Sequence, residues 1–353
     1  MGKRFETGLR QMAGWFERQQ RILPWRENPD TYRVWISEIM LQQTQVITVV
    51  PYFEKFIARF PSVQSLAESP QEDVLLHWAG LGYYSRARNI HRGAQMIHAA
   101  GKFPNTREAW LEIPGVGNYT AGAILSISLN QTEAILDGNV ERVLSRVRRI
   151  SRVRGDTPYK ERLWRLSRAF VERASALKIA PRVTNQALME LGATVCTPKN
   201  PKCQLCPLSE LCRAFLASET ERFPPKKKPK EWLEIQEALH CYIDEVGRVL
   251  VRKREAGEWR AGLWDLLGDK LEEKASFVGE IKSKHIVTRH KITRTTKVWR
   301  IKNSVWKASE AETVSKTALK WINAFAPEVA IGSALKKTLS QIRETYPEAW
   351  QSN

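Results

Sequence analysis

Long apolar runs are missing from this 353-residue sequence, and none approaches the roughly 18 residues needed to cross a bilayer. Residues 1–21 are charged throughout and have no hydrophobic signal core, so we expect no export. Cysteine is scarce, and five cysteines are an odd number for a chain without an export signal. A disulfide framework is therefore a poor interpretation, and a metal site is a better one.

Acidic residues are few compared with basic ones. The chain has 38 Asp and Glu against 56 Lys and Arg, a formal charge of +18. This excess favours a polyanionic partner, and nucleic acid before an anionic membrane, since no long amphipathic basic helix is evident. Hydrophobic residues make up 42% of the chain, which is enough for a core and excludes wholesale disorder.

The chain divides into two regions of different periodicity. Residues 1–217 are predicted to be mostly helical, because apolar residues such as Trp35, Ile36 and Ile39 recur at helical spacing. Prolines and lysines then replace the periodicity in residues 218–232, a basic linker that serves either as a soluble spacer or as a DNA contact.

Beyond the linker, the pattern changes to that of an α+β region. Residues 238–252 and 285–301 are rich in β-branched residues and partly alternating, with a turn at 245–247. Helical spacing returns in the last forty or so residues. A second domain is therefore predicted after the linker.

Four cysteines form the strongest local signal. They give the spacing C-x6-C-x2-C-x5-C and are Cys196, Cys203, Cys206 and Cys212. Four thiolates this close can hold either a four-thiolate zinc ion or a [4Fe–4S] cluster. Zinc ribbons usually pair two C-x2-C knuckles and only one is present, but the spacing leaves both open. Cys241 lies apart and is predicted to be a buried strand residue.

A glycine turn precedes a run of small residues. The turn consists of Pro114, Gly115, Val116 and Gly117. Such a turn can simply connect two helices, or it can expose backbone amides to a phosphate at a helix N-terminus. In a chain this basic, we interpret it as a helix-hairpin-helix that holds DNA without reading its sequence.

Two carboxylates are ambiguous when taken alone. On a helix, Glu38 would share one face with Val34, Leu41, Gln42 and Gln45, and its ordinary role would be that of a solvated helix glutamate. Asp137, in a Leu-Asp-Gly-Asn segment, would ordinarily be a helix cap or turn residue.

Six segments together with the cysteines occur in one order that resembles a known family. The segments are LPWR (23–26), VWISEIMLQQTQV (34–46), GLGYYSRARN (80–89), IPGVGNYTAGAILS (113–126), ILDGNVERVL (135–144) and NQALMELGA (185–193). They resemble the MutY-type adenine DNA glycosylases of the helix-hairpin-helix, endonuclease III-like superfamily. The resemblance is dense over residues 1 to about 230 and covers the C-terminal third only in outline.

The resemblance implies a mainly α catalytic region with the helix-hairpin-helix glycosylase fold and an iron–sulfur cluster loop. A Nudix-like α+β domain for lesion recognition follows it. The implied bounds are 1–217 for the catalytic region (29–134 a six-helix-barrel module; 1–28 and 135–217 the cluster module), 218–232 for the linker and 233–353 for the Nudix-like domain.

The resemblance also implies a chemistry. The family hydrolyses the bond between adenine and deoxyribose, which calls for one protonated and one ionised carboxyl group. The acid matches Glu38, the carboxylate that stabilises the sugar cation matches Asp137, and Asn139 and Tyr119 match residues that support the pair. Bifunctional relatives have a lysine at position 119 for a Schiff base, so a tyrosine there predicts a monofunctional enzyme that leaves an abasic site.

Further family positions match residues that handle the flipped base and the duplex. Gln43 and Tyr83 match residues that fill the gap left by the adenine, and Trp25, Arg26 and Gln186 match the lining of the adenine pocket. The cofactor implied for the four cysteines is a [4Fe–4S] cluster. The implied partner is double-stranded DNA with an A:8-oxoguanine or A:G mispair, bound by a monomer in the bacterial cytoplasm near the nucleoid. The linker is a plausible docking segment for unidentified repair or clamp proteins.

The C-terminal region departs from the family pattern. Gly262-Leu263-Trp264 fits the outline, but the Glu-rich box of a Nudix hydrolase is missing, so nucleotide hydrolysis is not expected. The family's Phe-Ser-His loop is also missing; the nearest match is Thr288, Arg289 and His290. We assign these three to lesion recognition, although a structural histidine or a nonspecific phosphate contact remain alternatives. The stringency for 8-oxoguanine over guanine is thereby put in doubt.

Two other functions compete with adenine excision. One is a superfamily enzyme that acts on a damaged pyrimidine or mismatched thymine, which a lysine at position 119 or a missing acid at position 38 would favour. The other is a non-catalytic iron–sulfur DNA-binding protein, for which Glu38 would be dispensable.

Overall fold

The computed structural model describes residues 2–226, 231–255, 257–271, 275–287, 289–301 and 318–351. The chain forms two compact units. The first, here called the helical unit, comprises Met1–Glu68 and Asn89–Pro229. The second, the sheet unit, comprises Ser69–Arg88 and Lys230–Asn353. Within the described part of the chain, no helix is long and apolar enough to cross a membrane.

The predicted helical character of residues 1–217 is confirmed. The helices are α1 (Lys3–Gln19), α2 (Pro24–Glu27), α3 (Thr31–Leu41), α4 (Val46–Arg59), α5 (Val63–Glu68), α6 (Gln71–Trp78), α7 (Ser85–Ala100), α8 (Arg107–Leu111), α9 (Asn118–Ser128), α10 (Gly138–Arg148), α11 (Thr157–Ala176), α12 (Pro181–Thr194) and α13 (Arg213–Leu216). Helix α6 belongs to the sheet unit, and α7 crosses the boundary between the units.

Helix α3 is the central helix of the candidate site. Asp30 caps it by accepting a hydrogen bond from the Arg33 backbone N–H at 2.9 Å. The helix ends at Leu41, so the expectation that a single helix continues to Gln45 is wrong. The chain turns because Gln43 adopts a left-handed conformation with φ of 59°. The apolar spacing runs on into α4 and conceals this break in the sequence.

The glycine turn connects two helices, as predicted. Helix α9 begins at Asn118, directly after the turn, with Gly117 as its N-cap. Gly115 has a φ of +81°, a conformation that L side chains rarely adopt. Farther along α9, a Cβ on Gly122 would lie 2.2 Å from the backbone oxygen of Ala134, so a side chain there would block the packing. The small residues after the turn therefore permit close approach.

The sheet unit contains a mixed sheet. Its described strands are β1 (Leu233–Ile243), β2 (Arg248–Lys253), β3 (Trp264–Asp265), β4 (Ala275–Val287), β5 (His290–Ile301) and β6 (Leu319–Asn323). The order is β3-β2-β1-β5-β4, with β6 on β2; β1 and β5 are parallel and the other pairs antiparallel. The predicted turn between β1 and β2 is confirmed. The predicted β character of 285–301 is confirmed for the described residues, which form the end of β4 and the whole of β5, paired as an antiparallel hairpin.

Alternation along β1 places apolar side chains on both faces of the sheet. Cys241 and Ile243 pack with Leu335 and Leu339 of helix α14 (Ser333–Thr345), which confirms the buried strand position predicted for Cys241. Tyr242 faces the opposite core. The helix and the mixed sheet together give the α+β region expected from the change of periodicity.

Candidate active site

A cavity of about 880 Å³ opens in the helical unit. Its lining contains every residue predicted for the catalytic group and the base pocket, and one of the two predicted gap-filling residues. These are Trp25, Arg26, Glu38, Gln43, Tyr119, Asp137, Asn139 and Gln186. The family-matched positions, up to about 160 residues apart in the sequence, are thus brought to one place.

Glu38 is a buried carboxyl group on α3, 3% exposed. The hydroxyl of Tyr119, on α9, donates a hydrogen bond to its Oε2 at 2.6 Å. Burial raises the pKa of Glu38 to about 7; the bond from Tyr119 and the charge of Arg26 oppose the shift, and the charge of Asp137 adds to it. A carboxyl group with this pKa is available as a proton donor near neutral pH.

Asp137 is the N-cap of α10. Its Oδ1 accepts from the backbone N–H of Val140 at 2.7 Å, and its Oδ2 accepts from Nδ2 of Asn139 at 3.1 Å. Burial raises the pKa of Asp137, but these donors and the charge of Arg142 favour the ionised form. One oxygen of Asp137 therefore caps the helix, as the cap interpretation predicted, while the residue also lines the cavity; its catalytic role stays a prediction.

Helix α2 supplies two side chains of the predicted base pocket. Trp25 is buried and packs edge-to-face on Phe53, with ring centroids 5.3 Å apart. Arg26 donates from Nε to Oε1 of Gln186 at 3.1 Å and from Nη2 to Oε2 of Glu190 at 2.8 Å. Glu190 lines the cavity and was missed by sequence reasoning, although it lies four residues after Gln186 and so on the same face of α12.

Arg142, also missed, connects the start of α10 to the cysteine region. It donates to Oδ1 of Asn139 at 2.9 Å and to the backbone oxygens of Gly192 at 2.5 Å and Cys196 at 2.6 Å. Its spacing of three residues from Asn139, which places the two side chains on one face of a helix, was the only signal in the sequence.

The residues predicted to contact the duplex are placed as follows. Gln43 is exposed at the cavity rim of the helical unit. Tyr83 belongs to the sheet unit, has a φ of 50°, and is partly exposed with Arg86 over its ring. In the glycine turn, Val116 is buried whereas Gly115 and Gly117 are exposed, so the turn presents backbone rather than side chain.

Of the three residues predicted for lesion recognition, two are described. Arg289 lies in the turn between β4 and β5, and His290 begins β5 with its ring 5.3 Å from that of Trp259. Thr288 lies outside the described residues. These positions belong to the sheet unit.

The four predicted metal ligands line one small cavity in the helical unit together with Arg146. Arg146 donates from Nη1 to Sγ of Cys196 at 3.3 Å. Backbone N–H groups also point at the sulfurs, that of Leu208 at Cys206 and those of Phe215 and Ala214 at Cys212. Donors directed at sulfur stabilise thiolates, which are the form that ligates a metal.

Three of the four thiols resist ionisation in the absence of a cation. Burial raises the pKa of Cys206 to about 12 and also raises the pKa values of Cys203 and Cys212. A bound metal centre would supply the positive charge that removes the protons. The donor set therefore fits an iron–sulfur cluster.

Comparison with known proteins identifies the class. Residues 36–169 match the HhH-GPD superfamily of base excision DNA repair proteins, and residues 196–212 match the iron–sulfur binding domain of endonuclease III. A solved structure of a thermostable thymine-DNA glycosylase is similar, with a TM-score of 0.52 and 26% identity over 61% of this chain and 98% of that one. The helical unit thus has the helix-hairpin-helix, endonuclease III-like fold, and the cofactor of the chain is a [4Fe–4S] cluster.

Two relatives indicate the family within this superfamily. The adenine DNA glycosylase of Buchnera aphidicola subsp. Schizaphis graminum is 45% identical over 217 residues, 61% of each chain. That of Buchnera aphidicola subsp. Baizongia pistaciae is 38% identical over 251 residues, 70% of this chain and 68% of the relative. The chain belongs to the MutY-type adenine DNA glycosylase family, as the resemblance implied. It spans about three fifths of the length of the first of these relatives.

Proposed function

We propose that this protein is a base excision repair glycosylase that flips adenine out of duplex DNA and hydrolyses its glycosidic bond. The observation that carries the proposal is the pair of carboxyl groups in one cavity, the buried Glu38 with a pKa near 7 and the half-buried Asp137 held by hydrogen-bond donors. The relatives named as adenine DNA glycosylases support adenine as the base.

The two carboxyl groups divide the work. Glu38 in its protonated form donates to a ring nitrogen of the adenine, which neutralises the leaving group. Asp137 as a carboxylate stabilises the positive sugar that develops when the bond breaks. Tyr119 holds Glu38 in place through its 2.6 Å hydrogen bond, and Asn139 and Val140 hold Asp137.

The base pocket is formed by Trp25, Arg26 and Gln186. Trp25 offers an apolar surface, while Arg26 and Gln186 bring polar groups into the cavity. Gln43 and Tyr83 fill the gap left by the flipped base, and the exposed backbone of Gly115 and Gly117 holds a phosphate.

The enzyme is proposed to be monofunctional. A Schiff base, and with it strand cleavage, requires an amine, and position 119 carries a tyrosine. Trapping an enzyme–DNA adduct with borohydride in good yield would contradict this assignment.

The cluster is proposed to be ligated by the four cysteines. It supplies a rigid centre that organises the loop between Cys196 and Cys212. Arg142 and Arg146 donate to the chain around the first ligand, and Arg142 also reaches Asn139. The cluster loop and the start of α10 are thereby held together by this chain's own side chains.

The mixed-sheet region is proposed to be a Nudix-like lesion-recognition domain, separated by the linker 218–232 from the catalytic region 1–217 with its two modules. Arg289, His290 and Thr288 would recognise 8-oxoguanine opposite the adenine. Replacing His290 with Ala tests this: the preference for A:8-oxoguanine over A:G falls if His290 recognises the lesion and is unchanged if it does not. The protein is proposed to act as a monomer on these mispairs, with the linker open to repair or clamp proteins.

The test is single-turnover excision on matched duplexes that carry A opposite 8-oxoguanine, G or T, T opposite G, or an oxidised pyrimidine. Products are read on a denaturing gel with and without hot alkali. Alkali-dependent cleavage of the A strand, fastest opposite 8-oxoguanine, is the expected result. Cleavage only at an oxidised pyrimidine or at T:G would instead favour another activity of the superfamily, and T:G is included because the similar solved structure is a thymine-DNA glycosylase.

A further inference from the structure

Glu190 has an unusual position beside the base pocket. Its carboxylate lines the cavity, yet its side chain is 0% exposed. Arg21 donates to it from Nε at 2.6 Å, from Nη2 at 3.1 Å and from its backbone N–H at 3.2 Å, and Arg26 donates from Nη2 at 2.8 Å. One buried carboxylate therefore holds two arginines.

These bonds fix the orientation of Arg26. Its Nη2 is bonded to Glu190, its Nη1 donates to the backbone oxygen of Arg21 at 3.0 Å, and its Nε donates to Oε1 of Gln186 at 3.1 Å. The guanidinium is planar, so three bonds in its plane leave it no freedom to rotate.

The orientation of Arg26 in turn fixes the amide of Gln186. Oε1 of Gln186 faces the Nε–H of Arg26, and Nε2 donates to the backbone oxygen of Arg182 at 3.3 Å. A flipped amide would place its NH₂ group against the Nε–H of Arg26, donor against donor. Only one amide orientation is therefore compatible with a held Arg26.

We propose that Glu190 is a positioning residue that sets the selectivity of the pocket for adenine, acting through Arg26 on the amide of Gln186. The inference rests on the proposed function and deepens it. Adenine presents an amino donor beside a ring-nitrogen acceptor, a pattern that a side-chain amide meets in one orientation. On its Watson–Crick edge, hypoxanthine presents the reversed pattern, with the O6 acceptor in place of the amino group and an N1–H donor beside it, and so needs the amide flipped.

Glu190 also acts on the acid through charge. The charged or titratable groups that face Glu38 are Tyr119 on α9, Asp137 at the start of α10 and Arg26 on α2. The positive charge of Arg26 lowers the pKa of Glu38, and the carboxylate of Glu190 partly offsets that charge. Removing the negative charge at position 190 strengthens the effect of Arg26, so the pH above which excision slows moves downward.

The experiment uses the full chain with its cluster and the nearly isosteric substitution Glu190→Gln, which keeps an acceptor oxygen but removes the charge. Single-turnover excision is measured on duplexes with adenine or hypoxanthine opposite the same 8-oxoguanine, across pH 5 to 9. We expect adenine excision to slow about 10- to 100-fold, as a small misplacement of positioning groups does. The ratio of the adenine excision rate to the hypoxanthine excision rate should fall by about the same factor. The pH above which excision slows should move to a lower value.

The matched control is Glu6→Gln, which removes a carboxylate paired with Arg173 elsewhere in the helical unit. It is expected to change neither the ratio nor the pH limb. Glu190→Asp keeps the charge but has a shorter side chain. The adenine-to-hypoxanthine rate ratio should therefore fall, while the pH above which excision slows should stay that of the wild type. This variant also serves if Glu190→Gln does not fold.

The outcomes are separable. An unchanged base ratio and pH limb in both Glu190 variants would overturn this inference while leaving the proposed function intact. A wild type that releases no adenine would overturn the proposed function itself. Loss of activity with an unchanged base ratio and pH limb would reduce Glu190 to a structural role.

Discussion

Both units of the molecule bury carboxyl groups, and the pKa values of two of these groups, one from each unit, shift in opposite directions. Glu38 in the helical unit is 3% exposed and Asp265 in the sheet unit is 4% exposed. Burial raises the pKa in both cases. For Glu38 burial dominates and the pKa reaches about 7, whereas for Asp265 neighbouring cations dominate and the pKa is lowered.

The partners account for the difference. Asp265 accepts two hydrogen bonds from Arg294, at 3.1 and 3.0 Å, and one from Arg254 at 3.2 Å. Arg260 lies 3.5 Å away. Glu38, by contrast, is hydrogen-bonded by the neutral hydroxyl of Tyr119.

Burial alone therefore does not say what a carboxyl group does. A buried carboxylate surrounded by arginines is ionised and holds those arginines in place, and it cannot serve as an acid near pH 7. A buried carboxyl group bonded to a neutral donor and open to a cavity is poised to give up a proton near pH 7. This contrast supports the assignment of chemistry to the helical unit.

The largest expected effect is that of Glu38→Gln. The amide fills the same volume but cannot donate an acidic proton, so excision of adenine should slow by about 10²- to 10⁴-fold. Single-turnover gel assays measure the rate, and fluorescence anisotropy with a mispaired duplex measures affinity, which should stay within about threefold because no surface contact is lost. Excision at the wild-type rate would make this a binding protein or move the acid elsewhere.

Asp265→Asn should act on stability instead. The substitution removes one of the two carboxylates that pair with the buried Arg294, the other being Glu237, which costs about 3–5 kcal/mol in the free energy of unfolding of the sheet unit. Urea denaturation followed by tryptophan fluorescence measures it. Because the folded-state pKa of Asp265 is lowered, its stabilisation is present above about pH 4 and is lost as the pH falls through the folded value.

The control for Asp265 is Glu344→Gln on the exposed face of α14, which should change the free energy of unfolding by less than about 0.5 kcal/mol. Equal changes in the free energy of unfolding at both positions would show that the buried arginine network around Asp265 does not stabilise the fold.

Gly192→Ala is expected to have a smaller effect, on the geometry of the site. A Cβ there would lie 2.6 Å from Cβ of Asn139 and 2.9 Å from its backbone oxygen, so the start of α10 must shift. Overpacking of this kind costs about 1–3 kcal/mol in stability. Excision should slow with it, because Asn139 holds Asp137.

Thermal melting and single-turnover excision measure the Gly192 variant. Its control is Gly14→Ala in α1, where the new Cβ would meet only the flexible end of Arg18. If both glycine variants excise adenine equally fast, the close approach of α12 to Asn139 does not matter for the reaction.

The smallest expected effect is that of Tyr119→Phe. Loss of the hydroxyl removes one neutral hydrogen bond, worth about 0.5–1.5 kcal/mol, so the rate at pH 6 should change by about 2- to 10-fold. Because that bond lowers the pKa of Glu38, the variant should retain activity to higher pH than the wild type. A shift of the pH limb to lower values would mean that Tyr119 stabilises the protonated acid instead.

The parts of the site that sequence reasoning could find are those with a local signature. The cysteine spacing, the glycine turn and the segments around Glu38 and Asp137 each carry one. Interactions between distant segments carry none: Arg21 and Glu190 are 169 residues apart, and Arg294 meets Asp265 across the sheet. Such pairings depend on tertiary packing, which a linear pattern does not encode.

The boundaries of helices and strands were missed at some points for a related reason, which is the lack of a local signature. The end of α3 at Leu41 was missed because the left-handed turn at Gln43 carries no glycine or proline to mark it. The break between β4 and β5 was missed because residues 285–301 form a run whose β pattern is otherwise continuous. The grouping of Ser69–Arg88 with the C-terminal region is likewise a result of contacts and not of composition.

The most direct test of the account is the pH dependence of single-turnover adenine excision by the wild type. If Glu38 must be protonated and has a pKa of about 7, the rate is level below that pH and falls by about tenfold per pH unit above it. The excision rate of the Glu38→Gln variant should show no such fall above pH 7. A rate that is flat or rises between pH 6 and 9 would contradict the central claim that a buried, neutral Glu38 is the acid.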